Sequence, residues 1–499
     1  MRECGMLLPI ASLPSKYGIG CFSKEAYEFV DQLKEGGQSF WQILPLGPTG
    51  FGDSPYQAFS AFAGNPYFID LEQLVGEGLL TEDECEEADF GDDDRYIAYD
   101  KIYKARFKVL KKAYERWKKD HHQFLKSKLD PETIEYCFYM AVKDHFKSAS
   151  WNKWDKDIRL RKPAAVEKYK KMLADEIGFY EFQQFEFNEQ WSRLKAYANE
   201  NGIRIIGDIP IYVAFDGADS WAHPELFQFD EECLPKAVAG CPPDAFSATG
   251  QLWGNPLYDW GYHKKDHYSW WIKRMEYSLK LYDVVRVDHF RGFEAYYSIP
   301  YGDPTAEFGH WEKGPGIDLF RKVEQALGWK PVIAEDLGYV TDSVRDMVRD
   351  SGFPGMKVLE FAFDSRDSGC ANDYLPHNYP VNSVAYTGTH DNETIVGWWS
   401  SITKDEQKLA REYLCDQATP DKELYKSFIS LIMRSSAKLC VIPMQDYLGL
   451  DNKSRINTPS TVGKNWKWRI NTRQLSVKLQ KEIYGMALRY GRMNWNDSI

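Results

Sequence analysis

The chain contains no CxxC pair, no HxH or HExxH spacing, no internal repeat, no long block of one charge sign and no apolar run long enough to cross a bilayer. Each absence removes a class. The nine cysteines are scattered from Cys4 to Cys440, an odd number in a long chain, which argues against a disulfide framework and for a reducing, cytoplasmic setting. Near the start, MRECGMLLPIAS offers only a short apolar stretch broken by Pro9, too little for a secretory signal. A net charge of −12 would repel a phosphate backbone over most of the surface, so no nucleic acid and no membrane is expected as a partner. No metal-binding spacing and no EF-hand loop is evident.

What is present is a globular composition, 43% hydrophobic and 27% charged, with aromatics at 15%, among them 17 Trp and 31 Tyr. Many stand beside Gly, Asn and Asp in loop-like sequence. A pyranose offers an apolar C–H face with hydroxyls at its rim, which an aromatic ring and a nearby carboxylate or amide complement together. Filling a large core is the plainer use of the same residues.

Short apolar runs ending in a polar residue recur between helical segments, the rhythm of parallel strands with crossover helices. Eight fall at Met6–Ile10, Phe40–Leu44, Arg204–Ile209, Val284–Asp288, Pro331–Glu335, Met356–Glu360, Ser383–Thr387 and Leu439–Pro443, the number a closed (β/α)8 TIM barrel needs. Helices are expected at Lys24–Leu33, Phe187–Glu200, Tyr268–Tyr282, Ile317–Leu327, Thr341–Asp350, across Asp405–Ser435 with a break near Pro420, and at Lys478–Tyr490. The α/β barrel would then comprise residues 1–70 and 186–499. Residues 71–185 read as a helical insertion subdomain, and 212–263, dense in Pro, Gly, Trp and Asp, as a loop-rich insertion over the active site.

In such a barrel the chemistry lies at the C-terminal ends of the strands. Asp208 closes RIIGDIP, Asp288 closes VVRVDHFRGF, Glu335 closes PVIAEDLG and Asp391 follows His390 in YTGTHDNET, so four acids point to one mouth. Arg286 and Asp288, two apart on a strand, share a face, and the guanidinium should lower the pKa of Asp288 as suits a nucleophile. Glu335 needs a raised pKa to protonate a leaving oxygen, with Asp391 a source of the negative charge that raises it. A buried structural ion pair is the alternative for Arg286, Asp288, His289 and Arg291. His289 and His390 are better read as hydrogen-bonding sugar hydroxyls than as metal ligands.

The segments ASLPSKYGIG at Ala11, WQILPLGPTGFGDSPYQAFSAFAGNPYFIDL at Trp41, GDIPIYVAFDGADSW at Gly207, GQLWGNPLYDW at Gly250, RVDHFRGF, IAEDLG, THDNET, and QDYLGLDNKSRINTPST at Gln445 make the chain resemble the amylomaltase and plant disproportionating-enzyme family of 4-α-glucanotransferases, within the α-amylase clan. The resemblance implies Asp288 as nucleophile, Glu335 as acid/base and Asp391 as a third carboxylate holding sugar hydroxyls. It places Arg286, Asp208, His289 and His390 at the site of cleavage and Tyr56 in the substrate cleft. Gln251 and Trp253 fall in a loop over the donor site, and Asn457 in a substrate-contacting segment. Expected partners are maltooligosaccharides and starch- or glycogen-derived α-1,4-glucans, with glucose or maltose as acceptor. The family implies no cofactor, no C-terminal β-domain and no starch-binding module. A hydrolase using the same acids would release reducing ends instead of building longer chains, and a non-catalytic glucan-binding barrel would bind without turnover.

Overall fold

The computed structural model describes residues 2–119, 128–243, 248–338, 340–364 and 372–493. Eight parallel strands close a barrel in chain order: β1 Glu3–Leu7, β2 Phe40–Gln42, β3 Arg204–Ile209, β4 Val284–Val287, β5 Val332–Ala334, β6 Gly355–Val358, β7 Ser383–Tyr386 and β8 Leu439–Pro443, with β1 paired to β8. All eight expected strands are there. The first sits earlier than expected because Pro9 has no N–H for a ladder, and Ile10–Ser12 turn into a 3₁₀ helix instead. β4, β5 and β7 stop one residue short of the expected ends, which leaves Asp288, Glu335 and Thr387 just beyond the ladder, at the mouth.

Helices form where the apolar period is 3.6. In Lys24–Glu35 the buried residues are Ala26, Phe29, Val30 and Leu33, one stripe against the barrel, with Gly36 accepting the end of the helix. Ile317–Leu327 falls as expected, and Asp405–Ser435 splits into Lys404–Leu414 and Tyr425–Met433 on either side of Pro420. Inside the barrel, the Tyr386 hydroxyl donates to Gln42 Oε1 at 2.9 Å, and on the outer face of β2 the buried Trp41 indole, packed on Phe29, donates to the Leu8 carbonyl at 2.8 Å. Gly207, beside Asp208, admits no side chain: a Cβ there would lie 2.1 Å from the Tyr282 ring, whose hydroxyl accepts from the Leu46 amide.

Two features differ from the sequence reading. The helix Ala174–Glu200 runs unbroken through the boundary placed between 185 and 186, so the insertion and the barrel's own helix before β3 share one rod. Nothing in EFQQFEFNEQW interrupts it, since neither Pro nor Gly occurs there. The loop-rich segment 212–263 also carries strands, Ala237–Cys241 and Gln251–Pro256, which join Ala295–Pro300 and His310–Lys313 in a four-stranded antiparallel sheet. A register shift between Val238 and Gly240 breaks the two-residue alternation, and half of the sheet comes from the next connection, so no period is visible inside 212–263.

Candidate active site

Asp208 and Arg286 lie directly opposite one another on β3 and β4. Being in register they point to the same side, and Arg286 Nη1 donates to Asp208 Oδ2 at 2.5 Å and to Asp288 Oδ1 at 2.9 Å. The Tyr56 hydroxyl donates to the same Asp208 oxygen at 2.8 Å. Side-chain exposure falls from 27% at Asp288 to 3% at Arg286 and 0% at Asp208, so the pair lies beneath the floor and only Asp288 reaches the open space. Sequence reading grouped all three at the mouth; two of them support the third.

Glu335, one residue past β5, is half-buried and held by two backbone donors, His289 N–H on Oε2 at 2.7 Å and Leu337 N–H on Oε1 at 3.0 Å. The first requires His289 to adopt the left-handed region, φ 53°, unusual for a residue with a side chain. The residue after Asp288 thereby fastens Glu335 beside it. Burial, then the negative charge of Asp288, pushes the Glu335 carboxyl up to about 7 against the pull of Arg286. Asp288 departs from expectation. Burial raises it, to about 6, and Arg286, whose charge is shared with Asp208, offsets only part of that. The order still places the proton of the pair on Glu335 first.

Asp391 stands across the cleft in the loop after β7. Asn457 Nδ2 donates to its Oδ1 at 2.6 Å, His390 Nε2 lies 3.3 Å from its Oδ2, and Arg455 Nη2 donates to its backbone carbonyl at 2.7 Å. Burial opposes the charge, but the imidazole and the amide outweigh it and hold this carboxyl well below the usual range. His390, buried, is correspondingly raised: burial works against its charge and Asp391 overcomes it. His289 goes the other way, down to about 3 through burial and the nearby Arg291, and stays neutral.

Between Asp288 and Asp391 opens a cleft of about 460 Å³. Tyr56 stacks on His390 with centroids 5.2 Å apart and an interplanar angle of 13°, and Trp466 leans on both. On the opposite wall Trp253 meets His289 edge-on at 4.9 Å, and its indole N–H donates to Gln251 Oε1 at 3.1 Å. Tyr56, Gln251, Trp253, His289 and Asn457 all border the open space with Asp288 and Asp391. Sequence reading did not single out Trp466 or Arg455. Arg455 lies in the quoted QDYLGLDNKSRINTPST segment, whereas Trp466, in KNWKW, carries no distinguishing pattern. Among the described residues no group of three or more His, Cys, Asp and Glu could hold a metal ion, and no helix is long and apolar enough to cross a membrane.

A closed parallel barrel with acids of divergent proton affinity at one mouth, walled by aromatics, defines a (β/α)8 enzyme. A family model described as 4-alpha-glucanotransferase matches residues 8–475. The 4-alpha-glucanotransferase of Clostridium butyricum is 49% identical over 97% of this chain and 99% of its own length, and that of Streptococcus pneumoniae 47% identical over 99% and 98%. The solved amylomaltase of Streptococcus agalactiae, in complex with acarbose, superposes with a TM-score of 0.95 at 40% identity, covering 99% of this chain and all of that one. The chain belongs to the 4-alpha-glucanotransferase family and has that transferase activity.

Proposed function

We propose that this enzyme moves α-1,4-glucan segments between maltooligosaccharides by a retaining double displacement on Asp288, Glu335 and Asp391. The observation that carries the reading is the pairing of Asp288, clamped by Arg286, with a Glu335 that the His289 N–H fastens and whose carboxyl pKa is pushed upward by burial and the Asp288 charge. Asp288 attacks the anomeric carbon, the glycosidic C–O bond breaks, and the Glu335 proton passes to the departing 4-oxygen, leaving a β-glycosyl ester. The reducing-end fragment departs. An acceptor 4-hydroxyl then gives its proton to the Glu335 carboxylate and attacks the same carbon; the ester bond breaks and the α-linkage is restored. Asp391, anionic and fixed by Asn457 and His390, accepts hydroxyl donors from the sugar in the distorted ring. The neutral His289, with no protein partner on Nε2, and the Tyr56, Trp253 and Trp466 rings supply the remaining polar and apolar contacts. The neighbour bound to acarbose supports a maltooligosaccharide in this cleft, with glucose or maltose serving as acceptor and starch or glycogen fragments as longer donors.

In the same reading the described part of residues 71–185 is a helical insertion subdomain, and that of 212–263 is an insertion over the active site that excludes water. The buried cysteines Cys4, Cys21, Cys85, Cys137 and Cys440, none of them in a disulfide, support a cytoplasmic setting. The test is incubation with maltotriose, following the oligosaccharide ladder and total reducing ends together. Longer and shorter maltooligosaccharides at constant reducing ends are expected; a steady rise in reducing ends would make the enzyme a hydrolase.

A further inference from the structure

The cleft wall made by Gln251–Pro256 is one edge of the four-stranded sheet, and the opposite edge carries exposed aromatics. Leu252, which borders the cleft, is in register with Gly240, Gly240 with Tyr297, and Tyr297 with Trp311. Directly opposed residues of antiparallel strands share a face, and strands lie about 4.8 Å apart, so Trp311 stands about 14 Å from Leu252 on the same side of the sheet.

Three apolar side chains stay in solvent on the two edges and in the loop between Pro300 and His310: Leu252 is 40% exposed, Phe308 77% and Trp311 41%. Their setting is ordered. The Arg291 guanidinium lies 4.0 Å from the centre of the Trp311 ring, and Tyr297 meets that ring at 67° with centroids 5.2 Å apart. The loop carrying Phe308 is fastened at both sides: the Tyr297 hydroxyl lies 3.0 Å from the Ala306 carbonyl and 2.9 Å from that of Gly309, and the Ala306 N–H donates to the Thr249 carbonyl at 3.1 Å, next to the cleft-lining Gly250. Large apolar side chains left in water on an anchored loop and strand beside a substrate cleft are the feature a folded monomer otherwise avoids.

We propose that Leu252, Phe308 and Trp311 form a secondary track on which an α-1,4-glucan too long for the cleft lays its apolar sugar faces. The proposal rests on the assignment of the cleft as the glucan site. Its chemistry follows from the ligand: each glucose unit shows an apolar C–H face that a flat or aliphatic surface covers, while the hydroxyl rim remains hydrated. A trisaccharide confined to the cleft would not touch Trp311. The track therefore selects for donor length and contributes nothing to the chemical step.

The test is steady-state disproportionation by Trp311→Ala, Phe308→Ser and the double variant, with maltotriose and with amylose as donor. KM for amylose should rise about three- to tenfold in each single variant and further in the double, with kcat and KM for maltotriose unchanged. Phe308→Ser, at a largely solvated position, decides the matter should Trp311→Ala fold poorly. An amylose KM within twofold of the parent protein overturns the track, as does an equal loss on maltotriose, which would mean that Trp311 acts through Arg291 on the catalytic floor. Sedimentation supplies the remaining outcome: a parent dimer that dissociates in the double variant, with amylose KM unchanged, would make the patch a contact between copies and overturn the proposal. Failure of the parent protein on maltotriose would instead remove the glucan reading itself.

Discussion

Arg286 and Asp208 face each other across adjacent barrel strands and form an ion pair with almost no solvent access, and the same Arg286 nitrogen that holds Asp208 also holds Asp288. One buried cation thus serves two anions. Tyr56 adds a hydroxyl to the shared Asp208 oxygen, so the base of the cleft is a network with Asp288 as its exposed tip. Desolvating such a group is costly, and the network is stable only while every charge has a partner.

Arg286→Met should therefore destabilise the fold by about 3–5 kcal/mol, because the Asp208 carboxylate is left without its cation in a site water hardly enters. Denaturant unfolding measures it directly. Activity should fall together with stability, and the double change Arg286→Met with Asp208→Asn should recover part of the stability without recovering turnover. A cost for the double variant as large as for the single one would mean that the pair is not coupled in this way.

Asp288→Asn keeps the size of the side chain and an oxygen able to accept from Arg286, while removing the charge that burial disfavours. Its melting temperature should stay near that of the parent protein. An amide does not form the glycosyl ester, so kcat on maltotriose should fall by more than about a thousandfold with maltooligosaccharide binding retained. Turnover close to that of the parent would remove Asp288 from the nucleophile's place.

The strands were legible because barrel strands are short, apolar and interrupted by polar residues at the mouth; even the acids at their ends could be named from RVDHF, AEDLG and THDN. The small sheet was not, since its pairing joins segments on either side of β4 and a bulge disrupts the alternation inside one of them. Depth was also hidden. Asp208 and Asp288 look alike in sequence, each at a strand end, but one is in register with Arg286 inside the barrel and the other lies past the ladder, which sets their exposure at 0% and 27%. The sign of the Asp288 shift followed from the same blindness: Arg286 was visible two residues away, whereas the competing claim of Asp208 and the extent of burial depend on the folded barrel. Trp466 reaches the cleft only because the chain returns there after β8.

Asn457 acts on Asp391 by a single amide donation at 2.6 Å. Asn457→Ala removes a hydrogen bond to a charged acceptor, leaving His390 to hold the carboxylate and letting it rotate. A loss of about tenfold in kcat/KM on maltotriose is expected, the size of one charge-assisted hydrogen bond. Asn457→Asp should lose more, since it sets a second negative charge against Asp391. An unchanged kcat/KM in Asn457→Ala would show that His390 and Arg455 suffice to fix the loop.

The pH dependence follows from the coupled pair. Turnover needs Asp288 ionised and Glu335 protonated, so kcat/KM should be bell-shaped, its acid limb set near 6 and its alkaline limb near 7, both belonging to the pair and not to either residue alone. Glu335→Gln should abolish the alkaline limb along with most of the activity. Stability moves with the same group. The Glu335 carboxyl binds its proton more tightly in the folded chain than in the unfolded one, so its contribution is fully present below the unfolded value, near 4.5, and is lost as pH rises through about 7. Between those limits the parent protein should lose stability relative to Glu335→Gln, which has no proton to release. Asp391 has the opposite sign: its lowered carboxyl stabilises the fold above the unfolded value and ceases to do so only in strong acid, outside the window where Glu335 titrates. Unfolding of the two proteins across pH 4.5 to 7 separates these effects, because the difference between them contains Glu335 and its coupling to Asp288 but not Asp391; parallel curves would mean that Glu335 is not held protonated by the fold, and the acid in the mechanism would have to be sought elsewhere.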